Sequence, residues 1–169
     1  MKLAEVPDLT GELYKPAGFT ALLDAVGTTI NQVGSKLAAM PEEERPSKVI
    51  FLIITDGHEN SSREFTRAQI KSMISHQRDT YNWEFVFMGA NIDAIAEGDS
   101  LGIAAANSMN YNASSIGTRS LYGNVSKSLR NYRSSNGPAK VDFFNQPDQL
   151  DPQDPTPTVD PIIDSKDKV

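Results

Sequence analysis

No cysteine occurs among the 169 residues of this chain. The protein therefore forms no disulfide, has no thiol nucleophile and cannot ligate zinc through sulfur. A chain without cysteine is compatible with a reducing compartment, and we expect a cytoplasmic protein.

Long apolar runs and an excess of basic residues are also missing. No stretch approaches the roughly 18 consecutive apolar residues of a membrane-spanning helix. The first ten residues, "MKLAEVPDLT", lack the apolar region of a signal peptide. The formal net charge is −6 at pH 7. Nucleic acids and anionic membranes bind clustered lysine and arginine, so neither is expected as a partner.

The composition changes near residue 134. The remaining chain holds six of the ten prolines and seven aspartates, against three lysines. Such a segment buries little apolar surface and contains too many prolines for a helix or a central strand. We therefore predict a folded domain over residues 1–133 and a disordered, acidic tail over residues 134–169.

The folded part alternates helical and strand patterns. Apolar residues at steps of three and four predict a first helix, whose stripe contains Leu22, Val26, Ile30, Val33 and Leu37. Continuous apolar runs predict buried strands at Val49–Ile54 and Glu84–Met88. Further elements are predicted as a helix from Thr66 with a Thr66–Gln69 capping box, a short helix at 92–98, a strand at 106–111 and a helix at 115–132. This order predicts an α/β fold with a mostly parallel sheet covered by helices on both faces.

Oxygen-bearing side chains gather where the strands end. The first strand is followed by Asp56, Glu59, Asn60, Ser61 and Ser62, the second strand is followed by Asn91 and Asp93, and Thr20 precedes the first helix. Ligands bind at the carboxyl ends of parallel strands, and oxygen ligands suit Mg²⁺, Mn²⁺ or Ca²⁺. Simpler roles also fit. Thr20 can be a helix N-cap, Asp56 a turn residue bonded to its own backbone, and Asp93 the cap of the next helix.

Two segments carry a resemblance to a known family. "YKPAGFTALLDAVG" followed by "VIFLIITDGHEN" is similar to the later part of a von Willebrand factor type A domain, especially in its bacterial and phage forms. The likeness covers roughly residues 10–120. It implies a metal-ion-dependent adhesion site in which Thr20 and Asp56 bind Mg²⁺ or another hard divalent cation, together with a D-x-S-x-S motif from the first strand.

The D-x-S-x-S motif is absent from this sequence. The chain therefore resembles the C-terminal portion of such a domain, with an incomplete metal site. In the family the missing strand lies beside the T-D-G strand, so Val49–Ile54 is expected to present a bare apolar edge. A second copy of the chain, a separate polypeptide or the N-terminal segment are the alternatives that would cover this edge.

The expected function is a protein–protein interaction module rather than an enzyme. The partner is expected to be another protein, or a second copy that associates through Val49–Ile54. One alternative is a structural oligomer that pairs through this edge. Another is a metal-assisted hydrolase in which Asp56 works with His58 as general base.

Overall fold

The computed structural model describes Thr10, residues 19–134 and residues 142–144 of the chain. Helices and strands alternate along this part, as the sequence predicts. They are α1 (Leu22–Ala38), β1 (Ile50–Thr55), α2 (Arg67–Tyr81), β2 (Glu84–Gly89), α3 (Ala94–Ser100), β3 (Ser108–Asn110) and α4 (Ser115–Ser134), with short 3-10 helices at Glu42–Glu44 and Ala105–Asn107. Among these helices, none is both long enough and apolar enough to cross a membrane.

The three strands form one parallel sheet in the order β1-β2-β3. In the pairing of β1 with β2, Ile50 lies opposite Glu84 and Thr55 lies opposite Gly89, and β3 pairs with the end of β2. A helix connects each strand to the next, as parallel pairing requires. The structure confirms an α/β fold with a parallel sheet. Within the described residues, β1 is an edge strand.

Side chains of the strands alternate between two hydrophobic clusters. In β1 and β2, odd-numbered residues such as Phe51 and Ile53 share one cluster with residues of α1 and α2. Even-numbered residues such as Leu52 and Met88 share the other with residues of α4. The central strand β2 is buried along most of its length. Burial on both faces explains why the strand sequences are continuously apolar rather than alternating.

Helix α1 presents the apolar stripe that the sequence predicts. Leu22, Val26 and Ile30 are buried, while Val33 and Leu37 are partly buried against the same cluster. Steps of three and four residues place these side chains on one face of a helix. The apolar face of α1 therefore packs into the cluster formed with the sheet and α2.

Helix α2 begins with the predicted capping box. Thr66 Oγ1 accepts a hydrogen bond from the Gln69 N–H at 3.3 Å, and Gln69 Oε1 accepts one from the Thr66 N–H at 2.8 Å. Phe65 and Ile70, which flank the box, belong to the same hydrophobic cluster. The box satisfies two N–H groups that have no partner within the helix.

A short piece of the predicted tail is packed into the core. Phe143 is fully buried, its ring centroid lies 6.4 Å from that of Tyr132, and its N–H donates to Asn107 Oδ1 at 3.0 Å. Replacing a buried phenylalanine with alanine typically costs about 3–5 kcal/mol. Residues 142–144 are thus part of the packed structure, and the rest of the predicted tail beyond Ser134 lies outside the described residues.

Candidate functional site

The T-D-G turn after β1 is closed by Thr55 rather than Asp56. The Thr55 hydroxyl donates to the Gly57 carbonyl at 2.9 Å and lies 3.4 Å from the Gly57 nitrogen. Asp56 is exposed, and only its carbonyl accepts a hydrogen bond, from Asn91 Nδ2 at 3.3 Å. Its carboxylate has no hydrogen bond within the described part of the chain. The alternative in which Asp56 bonds its own backbone is therefore wrong.

Thr20 lies against the same turn. Its N–H donates to Asn60 Oδ1 at 2.9 Å, and its carbonyl accepts from the Asn60 N–H at 3.0 Å. Its hydroxyl oxygen is 3.7 Å from the position that a Cβ atom on Gly57 would take. The fold therefore brings Thr20 to the residue that follows Asp56, although the two are far apart in the sequence. Metal ligation by this pair stays a prediction.

Helix α1 begins without a side-chain cap from its own end. The N-cap is Ala21, so the interpretation of Thr20 as the cap is wrong. Instead, the Leu23 N–H donates to Glu59 Oε2 at 3.0 Å, and the next N–H along the helix donates to Ser62 Oγ at 3.1 Å. The loop after β1 thus satisfies the unpaired N–H groups of the helix N-terminus.

The carboxylate of Glu59 organises this loop. Its Oε1 accepts from the N–H groups of Ser61 and Ser62 at 2.9 and 2.7 Å, and its Oε2 accepts from the Ser62 hydroxyl at 2.8 Å. Burial raises the pKa of Glu59, but the hydrogen bonds from Ser62, Leu23 and Ser61 outweigh it and lower the pKa to about 2. With four hydrogen bonds, Glu59 is a charged structural anchor and not an open ligand.

Asp24, in the first turn of α1, holds the far end of the loop. Its Oδ2 accepts from the Arg63 N–H at 2.7 Å, and its Oδ1 accepts from the Glu64 and Phe65 N–H groups at 2.9 Å each. The hydrogen bond from Arg63, opposed by burial and assisted by the bonds from Phe65 and Glu64, lowers the pKa of Asp24. A carboxylate in the first turn of a helix also stabilises the helix N-terminus by its charge, so Asp24 both complements the dipole of α1 and fastens the loop.

The residues near the turn do not by themselves fit a complete metal site. Asp93 Oδ1 accepts from the Ile95 and Ala96 N–H groups at 3.1 and 3.0 Å, so Asp93 caps α3 as predicted. Across the described residues, no three His, Cys, Asp or Glu side chains form a group that could hold a metal ion. An octahedral Mg²⁺ takes about six oxygen ligands, whereas Thr20 and Asp56 supply two.

One row of backbone groups on β1 points away from the sheet. The Val49 carbonyl accepts from the Glu84 N–H at 2.8 Å. The backbone N–H and C=O groups of the odd-numbered residues of β1 therefore point toward β2. Successive residues of a strand direct their N–H and C=O groups to opposite sides. Ile50, Leu52 and Ile54 therefore direct theirs to the open edge, where no described strand pairs with them.

An apolar groove follows this edge. It has a volume of about 420 Å³ and lies between β1 and α1. Among the described residues that line it, Thr29 has the only polar side chain and none is charged. Six of the lining residues are Val49–Ile54, and the other five are Leu22, Ala25, Val26, Thr29 and Val33 of α1.

Sequence reasoning missed the roles of Glu59 and Ser62 because their partners lie 36 and 38 residues away in the chain. One signal for the contact between α1 and this loop was present in Gly27. Glycine weakens a helix interior, so its presence there indicates a close approach. A Cβ atom on Gly27 would lie 2.7 Å from the ring of Phe65.

The carboxyl end of the sheet therefore combines a fastened loop, an exposed Asp56 and a strand edge that no described strand pairs with. His58 of the same loop is exposed. This arrangement is suited to contacts through backbone pairing and apolar burial. Comparison of the chain with family models, with curated proteins and with solved structures finds no match.

Proposed function

We propose that the chain is a protein–protein interaction module that binds its partner along the open edge of β1. The observation that carries this proposal is the row of backbone groups on Ile50, Leu52 and Ile54 that no described strand pairs with. This row borders a groove whose described lining holds no charged side chain. An exposed apolar strand edge is a template for pairing with another strand. Edges that avoid pairing usually carry charges or proline, and the sequence of β1, "IFLIIT", has neither.

Pairing at this edge supplies both hydrogen bonds and apolar burial. A hydrogen bond contributes roughly 0.5–1.5 kcal/mol net, and apolar burial contributes about 25 cal/mol per Å². The edge offers the N–H and C=O groups of three residues, so several kcal/mol are available before the cost of ordering the partner. This balance suits a reversible interaction.

The proposal includes the family that the sequence resembles. The position of Thr20 against the T-D-G turn and the two hydrophobic clusters on the sheet support a three-layer von Willebrand factor type A arrangement, present here as its C-terminal portion. With two ligands, Thr20 and Asp56, the metal-ion-dependent site is incomplete, and adhesion through a metal is weak. The module is proposed to be non-enzymatic and cytoplasmic.

Two lysine variants test the edge. Ile54→Lys places a charge on the edge strand, and Ile95→Lys places the same charge on α3 at similar exposure, 41% against 45%. A displayed library of random peptides is panned against the immobilised full chain. The enriched peptides should bind wild type and Ile95→Lys alike, and Ile54→Lys about tenfold more weakly, a difference of about 1.4 kcal/mol.

Urea unfolding followed by the fluorescence of Trp83, the single tryptophan, verifies that both variants fold. Equal binding of the enriched peptides to the two lysine variants would contradict the proposal. So would the failure to enrich any peptide, combined with a monomer in light scattering at all concentrations.

A structural oligomer is the second candidate, because the same open edge could join two copies of the chain. Light scattering would show its concentration-dependent growth, and Ile54→Lys would abolish it. The hydrolase alternative gains no support, since no hydrogen bond within the described residues orients His58 toward Asp56.

A further inference from the structure

We infer that the partner at this edge is one extended apolar segment of a separate polypeptide, inserted as a strand between β1 and α1. This inference rests on the proposed function and specifies what the edge binds. It differs from the pairing of two β1 strands in a dimer, which the sequence leaves open.

The backbone of β1 requires an extended partner. The N–H and C=O groups of Ile50, Leu52 and Ile54 alternate along the edge at the spacing of a strand, since β1 is regular and in register with β2 throughout. A helix satisfies its own backbone groups internally and offers no matching row. Only an extended segment presents donors and acceptors at the repeat that β1 needs.

Helix α1 prevents a second copy from using this position. Five residues of α1 line the groove, so the helix lies over the space beside β1. A strand added there lies about 4.8 Å from β1 and below α1. Suppose that this added strand were β1 of a second copy of the chain. By symmetry, α1 of the second copy would then lie over β1 of the first copy. The axes of the two α1 helices would be only about one strand spacing apart. Packed helices need 8–10 Å between their axes, so the two helices would collide.

The apolar lining of the groove determines which side chains a partner can place in it. The lining that the structure describes holds no charged residue and a single hydroxyl, that of Thr29. A charged side chain inserted below α1 would lose water without gaining a partner. Because side chains of a strand alternate between faces, the partner needs apolar residues at every second position, facing α1. Residues between them face away from α1, on the side where Ile54 is exposed.

The size of the groove suits a peptide-sized partner. β1 has six residues, or about 20 Å of strand. An extended chain exposes roughly 1.45 Å² per dalton, so six residues expose about 900 Å² in total. The part of this surface that faces away from β1 and α1 stays exposed when the segment is bound. A standard stable interface buries about 800 Å² on each partner. The contact therefore fits a reversible segment with micromolar affinity better than an obligate dimer.

A synthetic peptide provides the probe. It has ten residues, with valine or isoleucine at alternate positions, threonine between them and lysine at each end, and carries fluorescein. A control peptide has proline at two central threonine positions, which removes two N–H donors. Fluorescence anisotropy with the full chain should give a micromolar dissociation constant for the first peptide and about tenfold weaker binding for the second.

Neighbouring threonines of α1 provide matched variants of the protein. Thr28 and Thr29 are both exposed, but only Thr29 lines the groove. Thr29→Glu should weaken peptide binding about tenfold, and Thr28→Glu should leave it within about twofold of wild type. Hydrogen exchange at the amides of Ile50, Leu52 and Ile54 should slow at least about tenfold when the peptide binds.

Each other outcome overturns the inference in a distinguishable way. Equal peptide binding by the two glutamate variants would place the peptide outside the groove. A dimer that Ile54→Lys abolishes, without peptide binding, would overturn the inference and leave the proposed function standing. Edge amides already protected in the free monomer would show that the chain covers its own edge, and would overturn both. Unprotected amides without peptide binding would overturn the inference alone, since panning then decides the function.

Discussion

Replacing Glu59 with glutamine removes a negative charge that four hydrogen bonds surround. Glutamine keeps one acceptor oxygen, which can still serve the Ser61 and Ser62 N–H groups. Its NH₂ group then faces the Leu23 N–H. Two donors therefore face each other at the place where, in the wild type, the Leu23 N–H donates to Glu59 Oε2. Breaking a hydrogen bond to a charged group costs about 1.5–3 kcal/mol, and we expect Glu59→Gln to lose about 2 kcal/mol of unfolding free energy at pH 7.

The lowered pKa of Glu59 gives an independent magnitude. A fall from 4.5 to about 2 corresponds to about 3–4 kcal/mol at most, at 1.36 kcal/mol per pKa unit. Solvent near the carboxylate screens this to about 1–2 kcal/mol. Because the folded pKa lies below the unfolded one, the stabilisation is present above about pH 4.5 and is lost as the pH falls toward 2.

Urea unfolding followed by Trp83 fluorescence at pH 7 and pH 3 measures both effects. Trp83 is 4% exposed and reports on the core. The matched control is Glu64→Gln, in the same loop, because the Glu64 side chain is exposed. If Glu59→Gln and Glu64→Gln differ by less than about 0.5 kcal/mol at pH 7, the anchoring role of Glu59 is refuted.

Three further predictions concern other parts of the structure. Burial raises the pKa of Glu84 to about 7, so its folded form loses stability as the pH rises from 4.5 through 7. Glu84→Gln should therefore be about 1–2 kcal/mol more stable than wild type at pH 8, after screening, and equal to it at pH 4.5 in urea unfolding. Phe143→Ala should cost about 3–5 kcal/mol in the same assay, whereas Phe19→Ala, at a residue 83% exposed, should cost less than about 0.5 kcal/mol. Calorimetry with Mg²⁺ and Mn²⁺ should show at most millimolar binding, and tight binding that Asp56→Ala abolishes would contradict the incomplete site.

Local patterns predicted the elements of the fold because their signals lie within a few residues. The Thr66–Gln69 box spans one helical turn, and the stripe from Leu22 follows the helical repeat. The parallel sheet followed from continuous apolar runs joined by helices. The same reasoning placed Asp56 at the carboxyl end of β1, where the structure has it.

Contacts between distant parts of the chain were not predictable in this way. Thr20 is a favoured N-cap residue, yet Glu59 and Ser62 reach the helix N-terminus from the loop after β1. Phe143 follows a proline-containing segment whose composition indicates a disordered chain, yet Phe143 is buried in the core and Phe144 packs against the same cluster. Composition averages over a window, so it does not identify one buried residue within a polar stretch.

The fastening of the loop to α1 also has a consequence for the kinetics of binding. Glu59 and Asp24 join the first turn of α1 to the segment that follows β1, so the two walls of the groove are ordered when the chain folds. A strand that enters does not have to organise them, and less conformational entropy is lost on association. Binding to a preorganised groove is then limited by the arrival and extension of the partner. Acid that protonates the two carboxylates would weaken the connection between α1 and the loop and so slow binding, although none of the described residues that line the groove has a titratable side chain.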